Sequence, residues 1–230
     1  MRLNADFSTR AYVAATEPFV ASPMPGVERR MLDRVGDEVA RATSIVRYAP
    51  DSRFSAHVHT GGEEFLVLEG VFQDEHGDFP AGTYVRNPIG TRHAPASASG
   101  CTIFVKLSQF SADEQQIRRV DTEELRYRPD RECAGVEAAD LFKDADEHVR
   151  IEIWQPDSDV VLDASGGLEV LVLDGGFEYE GRTVGRHDWL RLPSGDRLRV
   201  GVSPGGARVW TKRGHLGAAP MSRMHSATNP

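Results

Sequence analysis

The stretch "AHVHTGGEEFLVLEG", residues 56–70, sets two histidines one residue apart, then a double glycine, then two glutamates ahead of an apolar run. A histidine-free echo, "DASGGLEVLVLDG", follows at residues 163–175. Laying "GGEEFLVLEGVFQDEHGDFPAGTYVRNPIG" (61–90) over "GGLEVLVLDGGFEYEGRTVGRHDWLRLPSG" (166–195) needs an offset of 105 residues, from 61 to 166, and no gap. Gly61 and Gly62 then fall on Gly166 and Gly167, Phe72 on Phe177, and Pro88 and Gly90 on Pro193 and Gly195. A self-match over so long a segment predicts two tandem copies of one module.

The module reads as strands. Runs such as "ATSIVRY", "EFLVLEG", "TIFVKL", "RIEIWQ" and "ARVWTK" are short, rich in β-branched and aromatic residues, and punctuated by Gly, Pro and Asp. The predicted class is all-β, with helical periodicity nearly absent. "VERRMLDRV" reads as the start of a turn, and "SADEQQIRRVDTEEL" as a polar linker with at most one helical turn, with "ADLFKDADEH" similar. That linker divides the chain into a first module over residues 1–115 and a second over 116–216. The small, polar tail 217–230 is expected to be loose.

Composition excludes several classes of function. The 230 residues carry 27 Lys+Arg against 35 Asp+Glu, a net charge of -8, and no basic cluster suited to a row of phosphates or an anionic membrane. Neither nucleic acid nor a membrane is an expected partner. The N-terminal residues lack the apolar core of a signal peptide and no run reaches about 20 apolar residues, so a cytoplasmic protein is expected. Cys101 and Cys133 are far from CxxC spacing and read as reduced core thiols.

The first copy carries chemistry that the second does not. On a strand, residues two apart face the same way, so His57 and His59 project together. Glu63 follows past a Gly-containing turn that can bring its carboxylate alongside, and "PIGTRH" offers His93 after a Pro-Gly turn. Three imidazoles and a carboxylate suit Zn, Fe(II), Mn, Ni or Cu, and the spacing does not choose among them. Phe65 and Val67 share the strand face of Glu63 and are expected to line a substrate pocket, with Arg47 and Phe54 as further candidates. Only one of the alternating pairs Tyr84 with Arg86 and Thr83 with Val85 can face inward. "QDEHGD", residues 73–78, reads as a solvated hairpin turn.

The spacing of His57, His59, Glu63, Gly70, Gly82, Pro88, Gly90 and His93 resembles the paired signature motifs of the cupin superfamily. The fuller string from His57 to Pro95 is similar to the ChrR-type cupin of anti-sigma factors and its relatives, among them acetylacetone-cleaving dioxygenases. The resemblance implies two tandem cupin barrels (double-stranded β-helix, jelly-roll), a bicupin. It also implies one divalent transition metal per chain, Fe(II) or Zn foremost, held by His57, His59, Glu63 and His93. Ser97 departs from the pattern, which often has Asn there.

Two functions follow as expectations. One is a non-haem Fe(II) oxygenase acting on a small dicarbonyl or keto/enol substrate. The other is a zinc-binding regulatory or sensor cupin without turnover. The Cys-rich helical segment through which ChrR-type proteins hold a sigma factor is missing before residue 40, so a sigma factor is not an expected partner. A small-molecule ligand is expected, and a homodimer is favoured over a monomer.

In the second copy His57, His59, Glu63 and His93 become Leu162, Ala164, Leu168 and Leu198. Removing four convergent polar groups avoids burying them unpaired. The copy is expected to be structural, with His187, at the place of Gly82, outside any ligand set.

Overall fold

In the computed structural model, which describes residues 1–37 and 40–217, the chain is all-β, and no helix occurs among the described residues. Backbone packing divides it into two units. The first comprises Met1–Ala5 and Pro18–Glu124, and the second comprises Asp6–Glu17 and the chain from Leu125. Residues 6–17 therefore belong with the second unit, and residues 116–124 with the first, in contrast to a division at 115/116. The tail expected to be loose lies outside the described residues from 218 onward.

Each unit is organised by one antiparallel sheet in the same order. In the first, the path runs Arg2–Leu3, Val27–Val35, Arg41–Tyr48, Cys101–Leu107, Glu63–Asp74, Thr83–Asn87, Arg118–Asp121. In the second it runs Arg128–Pro129, Val136–Lys143, His148–Trp154, Asp196–Arg213, Leu168–Tyr179, Trp189–Leu192, Ala11–Val13. The final strand of the first path comes from the segment read as a linker. It pairs Val85 with Arg119 as Ala11–Val13 pairs Tyr12 with Leu190.

Two stretches not read as strands, Val27–Val35 and Val136–Lys143, are strands in the structure. Each contains a β-bulge where it pairs with its neighbour, at Met31/Asp33 and at Asp140/Phe142. A bulge inserts one residue and breaks the alternation by which a strand is recognised. Charges buried on the first of these strands hide it further: Asp33 lies 3.7 Å from Arg41, and the Arg30 guanidinium stacks 4.4 Å from the Phe19 ring.

The central strand of each unit is buried on both faces. Phe65 and Val67 pack with Val46, Val85, Ile103 and Val105, while on the opposite face Glu64 accepts hydrogen bonds from Tyr84 (3.0 Å) and Arg86 (3.1 Å). The second unit repeats this. Leu168, Val170 and Val172 are in the core, and Glu169 accepts from the Trp189 indole at 3.1 Å and lies 2.7 Å from His215 Nε2. A polar layer whose members bond one another keeps the buried Glu64 and Glu169 from being orphaned.

The double glycine at the head of that strand has a steric reason. Gly62 sits at φ +77°, and a Cβ there would lie 2.3 Å from Phe110 Cγ; its copy Gly167, at φ +85°, would meet Leu216 Cβ at 2.5 Å. Gly62→Ala is therefore expected to destabilise the protein by about 2–4 kcal/mol, summing left-handed strain and overpacking. Gly90→Ala, at φ +87° with open space around it, should cost only about 1 kcal/mol. Urea denaturation of the two variants measures the difference, and equal costs would show that Phe110 yields freely.

Candidate metal centre

The four candidate ligands arrive from three places in the first unit. His57 and His93 are direct partners in a short antiparallel pair, His57–Val58 with Arg92–His93, so their side chains leave the same face. His59 is pinned by its backbone, whose N–H donates to Thr91 O and whose carbonyl accepts from Gly90 N, both at 2.9 Å. Glu63 opens the central strand, flanked by Asn87 on one side and Leu107 on the other. One ligand atom from each of the four lies within 4.8 Å of every other, and the three ring centroids are 4.6–5.3 Å apart. His59, Glu63 and His93 are buried, and His57 is exposed.

The hydrogen bonds behind the rings fix which nitrogen faces inward. His93 Nδ1 lies 3.1 Å from Asp74 Oδ2, an acceptor, so Nδ1 carries the proton. His59 Nδ1 lies 2.9 Å from Thr91 Oγ1, whose own hydrogen is given to Pro88 O at 2.6 Å; the hydroxyl therefore accepts, and Nδ1 again is the protonated atom. His57 Nδ1 faces the Ser55 carbonyl at 3.4 Å, with the same sense. All three Nε2 lone pairs are thus left for the centre.

Those inward nitrogens show that the residues fit a metal. His59 Nε2 and His93 Nε2 are buried without a hydrogen-bond partner, and Glu63 Oε2 stands 3.3 Å from the first and 3.5 Å from the second. Such separations match ligand atoms that each sit about 2.0–2.2 Å from a shared ion. Burial lowers the His59 pKa against the opposing charge of Glu63, keeping that ring a neutral ligand. At His93 burial also pulls downward, but the hydrogen bond to Asp74 and the charge of Glu63 outweigh it and raise the pKa. The cluster could hold one metal ion.

A supporting shell completes the site. Asn87 Nδ2 donates to Glu63 Oε2 at 3.0 Å, and Arg119 Nη2 donates to Asn87 Oδ1 at 2.7 Å, so a strand read as linker orients the carboxylate at second hand. Asp74 belongs to the hairpin read as solvated, yet its side chain is 1% exposed and holds His93. Its neighbour Glu75 accepts from Ala94 N at 2.8 Å. Nothing in "QDEHGD" marks Asp74 out, because a hairpin acid that folds back onto a ligand has no periodic signature.

A cavity of about 510 Å³ opens onto His57 and Glu63, walled by Val46, Tyr48, Phe54, Ile103 and Val105 among others. Phe54 lines it as expected. Phe65 and Val67 do not: they are packed in the core, because the neighbouring strands present Val46, Ile103 and Val105 to the space instead. Arg47 is also elsewhere, stacked 4.0 Å from the Phe19 ring. Val85, rather than Tyr84 and Arg86, belongs to the inward pair.

Among the described residues, the second unit has no counterpart of the ligand set. Leu162, Ala164, Leu168 and Leu198 share one apolar cluster, each no more than 2% exposed. His187 takes the place of Gly82 in conformation as in sequence, with φ +66° against +90°. Its N–H donates to Val172 O at 2.7 Å as Gly82 N donates to Val67 O at 2.8 Å.

Two predictions follow from the geometry. His59→Ala and His93→Ala are expected to abolish stoichiometric metal binding, whereas His187→Ala leaves it intact; metal analysis after dialysis decides, and a full complement in either of the first two refutes the ligand set. Asp74→Asn, which keeps shape but removes the charge behind His93, should weaken affinity by about 10–100-fold, measurable by competition with a chelator of known affinity.

Residues 9–111 match the family of the ChrR cupin-like domain. No curated protein matches the sequence. Among solved structures, a candidate dioxygenase from Nostoc punctiforme is similar at 15% identity and TM-score 0.70, over 95% of this chain and 84% of that one. A cupin 2 conserved barrel domain protein from Leptotrichia buccalis is similar at 13% identity and TM-score 0.59, over 84% and 91%. The nickel(II) complex of the bacterial pirin YhhW from Escherichia coli is similar at 15% identity and TM-score 0.65, over 89% and 98%. At these identities the likeness is one of fold, and the segment that carries the metal centre is similar to the ChrR cupin-like domain.

Proposed function

We propose that the chain is a bicupin of two tandem barrels whose first barrel is a non-haem Fe(II) oxygenase for a small dicarbonyl or keto/enol substrate. The observation that carries this reading is the three-histidine, one-glutamate set opening into a walled cavity of about 510 Å³. A transition metal held by imidazoles on the rim of a mostly apolar cavity is the arrangement such chemistry needs. Bound there, Fe(II) would supply chelation of two substrate oxygens and electron exchange with dioxygen.

The chain's own residues have definite tasks in that scheme. Val46, Ile103 and Val105 exclude water from the substrate's carbon skeleton, and Phe54 packs edge-on against Tyr48 with centroids 5.2 Å apart. Burial, reinforced by the charge of Glu63, pushes the Tyr48 phenol up, so it stays protonated and can donate a hydrogen bond to a substrate oxygen. Asn87 and Asp74 hold Glu63 and His93 in place while the substrate enters past His57. The relative from Nostoc punctiforme, described as a candidate dioxygenase, and the nickel(II)-holding pirin support this use of the scaffold.

The match to the ChrR cupin-like domain favours a second reading, a zinc-holding sensor without turnover. Metal analysis of protein purified without added metal, followed by oxygen uptake by the iron-loaded protein with pentane-2,4-dione and related diketones, separates the two. Iron with diketone-dependent oxygen uptake is the expected result; stoichiometric zinc and inertness after iron exchange would sink the oxygenase. Tyr48→Phe should keep full metal content while kcat/KM falls by about tenfold. Free, buried Cys101 and Cys133 accord with a cytoplasmic setting for either reading.

A further inference from the structure

We infer that the cavity over the metal centre takes an anionic substrate, a dicarbonyl that also bears a carboxylate, and that Arg29 is the residue that holds the acid group. The inference deepens the oxygenase reading and rests on it. The walls of that cavity are largely apolar, but its lining also includes Arg29, Arg34 and Arg53. Against them stands one acidic residue of the lining, Glu63, which is itself a candidate metal ligand. With a divalent ion on Glu63, the cavity carries positive charge that no lining acid answers.

Strand register puts two of these arginines on the inner face. Arg29 pairs with Val46, Val46 with Ile103 and Ile103 with Val67, so one row runs from the arginine into the core. Arg34 pairs with Ala42, Ala42 with Leu107 and Leu107 with Glu63, a row that ends on the metal ligand itself. Residues directly opposite one another on neighbouring strands share a face, and Val46, Ile103, Ala42 and Leu107 all border the cavity. Electrostatics agree with this placement: burial pushes the Tyr48 phenol up, and the charge of Arg29 opposes that rise. Arg34 and Glu63 are three strand spacings apart, about 14 Å along the sheet, a span suited to a short dioxo acid.

The three arginines differ in what they have left to give. Arg34 is anchored, with Nε donating to Gly36 O at 3.2 Å and Nη2 to Asp37 O. Arg53 is exposed and borders a second crevice that holds Asp51, Glu75 and Asp78. Arg29 is half-buried and has no hydrogen-bond or ion-pair partner among the described residues. Its strand neighbour Glu28 points to the opposite face and pairs with Arg47 at 3.3 Å. The groove that adjoins Arg29 and Arg34, lined by Val20, Met24 and Met31, adds one carboxylate, Asp37, and that one pairs with the N-terminal ammonium.

The ligand-free copy supplies the comparison. Gly70 and Gly175, equivalent by the repeat, lead through Cys101 and Ala207 to Tyr48 and Trp154, and from there to Val27 and Val136. Counting onward puts Ala138 at the place of Arg29 and Lys143 at that of Arg34, with the two bulges at the same step. The strand thus forms without an arginine at the first position, whereas a cation at the second is common to both copies. Arg29 accompanies the four ligands and is replaced where they are replaced. An unpaired guanidinium on an inner face carries a desolvation cost. A bound carboxylate offsets it, because the planar fork meets both oxygens at once. A dicarbonyl with its two oxygens toward the metal centre then has its acid group fixed by Arg29, which decides which end of the molecule lies at the ligands.

Isothermal titration of the full-length protein loaded with zinc, which exchanges no electrons with dioxygen, tests the inference. The probes are 2,4-dioxopentanoate and pentane-2,4-dione, which differ by a carboxylate in place of a methyl group. We expect the acid to bind at least about tenfold more tightly, and Arg29→Gln to bring the ratio of the two affinities to about one with zinc content still full. Arg29→Lys should keep part of the preference. Arg47→Gln, which removes the same charge from the opposite face, should leave the ratio as it is in the unaltered protein. Equal affinities in the unaltered protein, no binding of either probe, a preference untouched by Arg29→Gln, or an equal loss in Arg47→Gln overturns the inference. The oxygenase reading is decided separately, by oxygen uptake of the iron-loaded protein with pentane-2,4-dione, which carries no acid group for Arg29 to hold.

Discussion

Two buried imidazole nitrogens with nothing to hydrogen-bond are the constraint around which the first unit is arranged. His59 Nε2 and His93 Nε2 are both buried and both face the Glu63 carboxylate, at 3.3 and 3.5 Å. Buried lone pairs with no donor are costly, and a cation is what three neutral imidazoles and a carboxylate jointly accept. Everything nearby serves that convergence. The Pro88–Thr91 turn locks the His59 tautomer, a hairpin carboxylate locks that of His93, and the strand Arg118–Asp121 reaches in through Asn87 to hold Glu63.

The second unit shows what the scaffold is without that constraint. Its sheet order, its left-handed Gly167 and the buried glutamate on its outer layer repeat those of the first unit, so these belong to the module and not to the metal. With the four ligands replaced by aliphatic side chains, the floor closes into one apolar cluster. Fold and function therefore vary independently here: glycine turns and alternating apolar residues specify the sheet, and a handful of positions along it decide whether it can hold a metal.

How much of this was legible in the sequence depended on the kind of signal. The ligand set could be read because strand alternation puts His57 and His59 together and the internal repeat supplied a ligand-free comparison. The strands Val27–Val35 and Val136–Lys143 could not, since their bulges and paired internal charges erase the period-two pattern. Arg118–Asp121 was missed for a similar reason: a short edge strand, exposed along much of its length, has the composition of a linker. Asp74 and the true cavity walls depend on which strand lies beside which, information that resides in pairing register. Phe65 and Val67 were given the right face of the sheet but the wrong depth.

The edge strand of the second unit has a consequence for synthesis. Ala11–Val13 pairs with Trp189–Leu192, so a segment synthesised long before its partner strand must wait for that strand before it can settle. Until then the nascent chain carries an unsatisfied strand, Tyr12 included, through the folding of everything between. A fragment starting at Leu125 would meet the converse difficulty, with the backbone of Trp189–Leu192 left open along one side as a template for foreign strands. The order in which the ribosome delivers the chain is thus opposed to the order in which the second unit can close, and this unit can finish folding only once Trp189–Leu192 has been made.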